Sequence, residues 1–311
     1  NVVVDACGVL VTGNTCVFRI GRDARRTAEA IIEHVVRPAL RESTLPDDSV
    51  VLIAHDDHSS GWALFSNADV SLAVARGSGE AVQDLGSVAR QSGVPASLHG
   101  RGGAWFLLGA TADRSRLLAT LKSSLDRKVC NTANVVTVPR AFASDLWPTI
   151  VTAVGEAAAA RNATGIVHLT SDSDRLDFDH SDSDRVKVIP ASLEVLSAEW
   201  EWENDPEITV FVVESFERAV ATFNEVSPRL VASIISEDPN EHEYGWNHLS
   251  CPFVGDGFSR WVDGQFAFRR PELGLSNWEA GIPLGRGAIL SGSDIHSVRY
   301  RVRQRDEDLR R

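Results

Sequence analysis

The 311-residue sequence contains no methionine, only four cysteines and two tyrosines. It also has no apolar run approaching the roughly 18 residues that a membrane span requires. Cys7, Cys16, Cys130 and Cys251 lie far apart with neither CxxC nor zinc-type spacing, which excludes a disulfide framework and a structural zinc site. This pattern predicts a reducing, cytoplasmic setting. No basic segment followed by an apolar stretch opens the chain. Basic residues are outnumbered as well: 31 Lys plus Arg against 43 Asp plus Glu give a net charge of −12. That balance argues against nucleic acid or an anionic membrane as a partner, so any anion must meet a local positive site. The missing methionine and an opening on Asn1 lead to the expectation that residues, an N-terminal segment among them, are absent from this sequence. Spacings would then run a residue short in places.

What is present is an ordinary globular composition, 43% apolar and 24% charged, with a length suggesting about two domains. Valine- and isoleucine-rich runs alternate with helical patterns. Strands are predicted over 15–20, 49–54, 71–75 and 104–108, with helices over 22–41, 59–65, 79–91 and 112–125. A second series follows: strands over 134–138, 165–169, 186–189, 207–213 and 230–235, and helices over 142–161 and 216–225. Such alternation is the mark of βαβ units and a mostly parallel sheet, and the first hundred residues read as one doubly wound layer. A last strand over 296–302, before a charged tail, is expected to serve assembly.

The acidic stretch 171–185 offers Asp172, Asp174, Asp179, His180, Asp182 and Asp184 as oxygen or nitrogen ligands, but it lacks the spacing and glycine of a calcium loop. It reads as a solvated loop. His55-Asp56-Asp57-His58 stands where a helix needs a cap. Cys130 lies between a helix and a valine-rich strand, with Arg127 and Lys128 nearby to favour its thiolate. A buried, inert thiol is the competing reading.

Seven segments together carry a resemblance: Asn1-Val2-Val3-Val4-Asp5-Ala6, Thr12 to Gly21, Arg76-Gly77-Ser78-Gly79, Val129-Cys130-Asn131, Ser236-Glu237-Asp238, Ser259 to Gly264, and Glu272-Leu273-Gly274-Leu275-Ser276. In this order they resemble the aldehyde dehydrogenase superfamily and, within it, the gamma-glutamyl phosphate reductase family. The resemblance implies an α/β protein of aldehyde dehydrogenase-like fold. A Rossmann-like cofactor domain would cover 1–103, an α/β catalytic domain 104–290, and an oligomerisation strand and tail 291–311 of a homodimer. It implies Cys130 as the nucleophile toward a small-molecule acyl phosphate and Asn1 as a donor to the oxyanion. For an NADPH cofactor it implies Arg19, Gly21 and Arg22, the Gly77, Ser78 and Gly79 turn, and Glu199, with Glu201 competing for the last role. Arg22 replaces a small residue and is suited to a 2′-phosphate, a solvated arginine at the helix start being the competing reading. The Glu-Trp alternation at 199–202 could equally be a strand edge with its indoles packed inward. Arg260 and the 272–277 loop, including Ser276, are implied on the substrate side.

Two departures stand out. Where hydrolytic members place a glutamate, this chain has His99-Gly100-Arg101-Gly102-Gly103, so no base for a deacylating water is expected there. The reductases themselves usually carry Gly-Asn or Gly-Cys in this loop. The expected reaction is the NADPH-dependent reduction of L-glutamyl 5-phosphate to the semialdehyde in proline biosynthesis. The alternatives are another acyl donor, or a binding or scaffold protein that has kept the fold and lost catalysis.

Overall fold

The computed structural model describes residues 2–127, 129–172, 179, 181, 183–262, 269, 271–279 (the last by backbone alone) and 281–305. Its centre is a sheet whose strands need both faces covered. Strands β5 (Ala104–Leu108), β6 (Ala133–Pro139) and β9 (Glu207–Val213) are almost wholly buried apolar runs, the pattern a parallel sheet between helices demands.

The chain reaches that sheet through smaller units. Helix α1 (Val2–Leu10) precedes β1 (Cys16–Phe18), and α2 (Arg22–Ile31) continues through a π segment (Ile32–Val36) into α3 (Arg37–Glu42). Pro38 has no N–H to donate there, and the helix absorbs the lost bond without breaking. Strand β2 (Val50–Leu52), α4 (His58–Phe65), β3 (Ala73–Arg76), α5 (Gly79–Ser92) and β4 (Ala96–His99) follow. The expected single doubly wound layer takes a different form. Strand β1 pairs in parallel with β2, and β3 with β4, as two separate two-stranded sheets. Among the described residues no strand bridges β2 to β3, so the hydrogen-bond ladder is interrupted between them.

After β5 come α6 (Arg114–Ser124), β6, α7 (Ala143–Ala159), β7 (Gly165–Ser171), β8 (Val186–Pro190), β9, α8 (Phe216–Val226), β10 (Val231–Ile235), α9 (Pro239–His248) and β11 (Phe253–Gly255). The seven strands stand in the order β11-β10-β5-β6-β9-β7-β8, all parallel. Alternation along β5 divides the core. Phe106 and Leu108 pack with Leu117, Leu121, Ile150 and Val154 of α6 and α7, whereas Trp105 and Leu107 pack with Phe216, Val220 and Phe223 of α8. Trp105 and Phe223 meet edge to face at 5.6 Å.

Short strands β12 (Glu272–Leu275) and β15 (Ile289–Ser291) form an antiparallel pair, with β13 (Trp278–Glu279) and β14 (Ile282–Pro283) as a hairpin between them. The strand expected over 296–302 is not formed: this stretch has no regular structure, and Val298, Tyr300 and Val302 are 79–86% exposed. A strand needs a neighbour for its N–H and C=O groups, and none of the described residues supplies one. Asp57 caps α4 by accepting from Ser60 N at 2.8 Å. In the acidic stretch, Asp172 holds Arg140 at 3.0 Å and accepts from Glu214 N at 2.7 Å. Asp174, His180 and Asp182 lie outside the described residues. No metal-holding cluster occurs among the described ones.

Candidate active site

The carboxyl ends of β3 and β4 meet the amino ends of β5 and β6 around a cleft of about 470 Å³. Gly77, Ser78, His99, Gly100, Val129, Cys130, Asn131, Glu199, Glu201 and Arg260 line it. Cys130 is half-buried in the turn before β6. Its carbonyl accepts from Gly103 N at 2.7 Å, and Thr132 N closes the turn onto Val129 O at 3.1 Å. Ser259 Oγ donates to Asn131 O at 2.6 Å, which pins the turn from the far side.

The glycines beside it are required by contact. A Cβ on Gly102 would stand 2.3 Å from Cys130 O and 2.6 Å from its Cα, and Gly103 has a φ of +107° against the Asn134 side chain. Burial pushes two of the other thiols up, Cys251 to about 12 and Cys16, with Asp5 adding to it, to about 11, while Cys7 is exposed. Arg127, expected beside the thiol, turns instead to Glu203 at 3.6 Å. Lys128 lies outside the described residues, as does Asn1.

Glu199 reaches the same loop from a different segment: its carboxylate accepts from Gly102 N. Burial raises its pKa, against the lowering effect of that bond. Asn134 fixes the segment, its amide oriented to donate to Ala198 O at 2.8 Å and accept from Trp200 N at 3.0 Å. Trp200 stacks on His168 with ring centroids 4.2 Å apart and donates to Thr209 Oγ1 at 2.9 Å. Trp202 is buried under Arg161. The indoles therefore do pack inward, but residues 199–202 are not a strand, and both glutamates line the cleft.

Gly77 and Ser78 form the opposite rim. Ser78 caps α5, leaving N–H groups of its first turn at the rim. No atom comes within 4 Å of a Cβ built on Gly77, so the backbone is open to a ligand there. Gly79 packs on Arg101, where a Cβ would fall 2.7 Å from Cγ. Arg260 enters from the other side, one-fifth exposed and paired with Asp126 at 3.0 Å.

Arg19, Gly21 and Arg22 gather elsewhere, at the carboxyl end of β1. Gly21 caps α2 without a side-chain bond, and Arg22 stands in solvent 3.5 Å from Asp56. Arg19 donates to the carbonyls of Asp56 and Asp57, tying β1 to the start of α4. Ser276 is not brought to the cleft. It is fully buried, its Oγ 3.4 Å from that of Ser97, because β12 packs its far side against β4.

The reading of the residues alone gave no role to the Asn134, Asp126 and His99 side chains. Polar side chains beside a glycine-rich run are the only signal pointing to them. His99 is 7% exposed and neither ring nitrogen meets a partner, the amide of neighbouring Asn277 being engaged with backbone. Burial, with Arg76 adding to it, lowers its pKa to about 4 against the raising effect of the Asn277 side chain.

The fold is that of solved aldehyde dehydrogenases. In sequence the chain is similar to gamma-glutamyl phosphate reductases. It is 28% identical to that of Leuconostoc mesenteroides over 298 residues, covering 93% of this chain and 67% of the relative. To that of Kineococcus radiotolerans it is 29% identical over 282 residues, 89% of this chain and 61% of the relative. The crystal structure of gamma-glutamyl phosphate reductase from Thermotoga maritima superposes with a TM-score of 0.77 at 22% identity, over 97% of this chain and 70% of that one. An engineered glycolyl-CoA reductase with bound NADP⁺ superposes with a TM-score of 0.66 at 16% identity, over 94% and 69%. No family model matches.

Proposed function

We propose that this chain reduces an acyl phosphate, L-glutamyl 5-phosphate, to the semialdehyde with NADPH, in proline biosynthesis. The observation that carries the reading is Cys130, held by backbone contacts in a cleft that also presents open helix N–H groups and an arginine. The similarity to curated reductases supports the substrate.

In this mechanism the Cys130 thiolate attacks the acyl carbon. A C–S bond forms, and the bond to the phosphate oxygen breaks with its electron pair leaving on phosphate. Charge gathers on the carbonyl oxygen in between, where the Cys130 N–H and the Asn1 amide act as donors. Arg260 meets the substrate's carboxylate or phosphate. A nicotinamide cofactor, when bound, would supply the hydride that the thioester carbon needs; Cys130 then takes back its thiolate as the C–S bond breaks and the aldehyde leaves. The residues present suit such a cofactor. Gly77 leaves a cradle that a side chain would fill, Ser78 and Gly79 offer the start of α5, and Glu199 offers an acceptor to a ribose hydroxyl. Arg19, Gly21 and Arg22, together at the carboxyl end of β1, would hold its adenosine end.

In this reading residues 1–103 bind cofactor and 104–290 carry the chemistry. Residues 291–311 pair two copies as a cytoplasmic homodimer. No described helix is long and apolar enough to cross a membrane.

The test is the reverse reaction, with glutamate-5-semialdehyde and NADP⁺ supplied with and without inorganic phosphate. No carboxylate occurs on the 99–104 loop, so we expect a single burst without phosphate and sustained turnover with it. Sustained turnover in its absence would mean that Glu199 or Glu201, which reach the cleft from another segment, activates water. The assignment would then pass to a hydrolytic dehydrogenase.

A further inference from the structure

The Asn277 side chain, 8% exposed and two residues past β12, commits its whole amide to backbone. Its Oδ1 accepts from Gly100 N at 3.0 Å, and its Nδ2 donates to Arg101 O at 2.7 Å and to Pro228 O at 3.1 Å. Its own carbonyl accepts from Leu284 N at 2.7 Å, so the anchor is itself held. The segment it grips meets Cys130, Glu199 and the start of α5. A Cβ on Gly100 would lie 3.1 Å from Gly79 Cα at the start of α5, and Gly102 lies against Cys130. Gly102 N also donates to Glu199. Three glycines in four residues have little conformational preference of their own, and Gly100, Gly102 and Gly103 have no side chains with which to fix themselves.

We propose that Asn277 is the positioning residue of this site, setting the Gly100–Gly102 loop and through it the placement of Cys130 against Glu199 and the start of α5. Its consequence for turnover rests on the reductase reading above. The grip itself does not. An alanine here would leave Gly100 N and Arg101 O without their partner. An aspartate would keep an acceptor for Gly100 N but set an oxygen against the two carbonyls.

The test compares Asn277→Ala and Asn277→Asp in the full chain with the parent and with Val220→Ala, a core truncation on α8 outside the cleft lining. Cys130 is carbamidomethylated with iodoacetamide well below the unfolding temperature, with exposed Cys7 of the same molecule as reference, and hydrogen exchange is followed across residues 98–103. We expect both Asn277 variants to change the Cys130 to Cys7 ratio at least fivefold and to speed exchange at Gly100, while Val220→Ala does neither. In acyl phosphate reduction, kcat should fall about tenfold with KM held within twofold. An unchanged ratio and unchanged exchange, or changes shared equally by Val220→Ala, would overturn the proposal. A parent that reduces no acyl phosphate would overturn the reductase reading, while the ratio and the exchange still decide the role of Asn277.

Discussion

His99 holds two ring nitrogens without partners beside the cation of Arg76, so its neutral form is the one the fold accepts. Its pKa falls from 6.5 to about 4 on folding, and the folded state therefore binds fewer protons than the unfolded chain between those values. The contribution is fully present above pH 6.5 and is lost as pH falls from there toward 4. It amounts to about 3 kcal/mol at most. Urea unfolding at pH 7 and pH 4.5 should show the parent losing more stability on acidification than His99→Leu. Asp5, whose pKa burial raises, is common to both chains and cancels in the comparison. Parallel losses would show that the ring is solvated or protonated without cost.

Among the elements, the proposed cofactor site gives the start of α2 the task of selecting its ligand by charge. Gly21 leaves the helix N–H groups uncapped, and Arg22, the first helical residue, stands free in solvent apart from a 3.5 Å approach to Asp56. A charge-assisted bond to a 2′-phosphate contributes roughly 1.5 to 3 kcal/mol. Arg22→Ser should therefore weaken NADPH binding about tenfold and leave NADH binding unchanged, as titration of nicotinamide fluorescence would show. Equal losses for both would assign Arg22 to a phosphate that the two cofactors share.

Elements with strong physical signatures were legible in advance. Strands β5 and β9 match the expected 104–108 and 207–213 to the residue, because strands buried on both faces are continuous apolar runs. Strand β4, Ala-Ser-Leu-His, was not legible: it is four residues long with a single large apolar side chain, and pairing with β3 forms it. Helix α9 was missed because it buries only Gly245, although Asp238 as cap and Pro239 in the first turn mark its start. At the site, Cys130, Glu199, Arg260 and the Gly77 turn line one cleft. Ser276 does not, since the face a short strand turns to the cleft depends on packing that no local pattern encodes.

For the molecule as a whole, the cleft draws on both halves of the chain. The carboxyl ends of one parallel pair supply glycine backbone, and the amino ends of the large sheet supply the cysteine. In the proposed reaction a covalent thioester joins these halves. Its most direct test is the mass of the protein itself. The chain is mixed with L-glutamyl phosphate, generated in place from glutamate and ATP by a kinase, without NADPH, then digested and analysed by mass spectrometry. We expect one glutamyl group per chain on Cys130, absent from Cys130→Ala. Adding NADPH should remove it, with one equivalent of the nucleotide oxidised. A chain that stays unmodified at Cys130, or carries the acyl group on Cys7 instead, would contradict it.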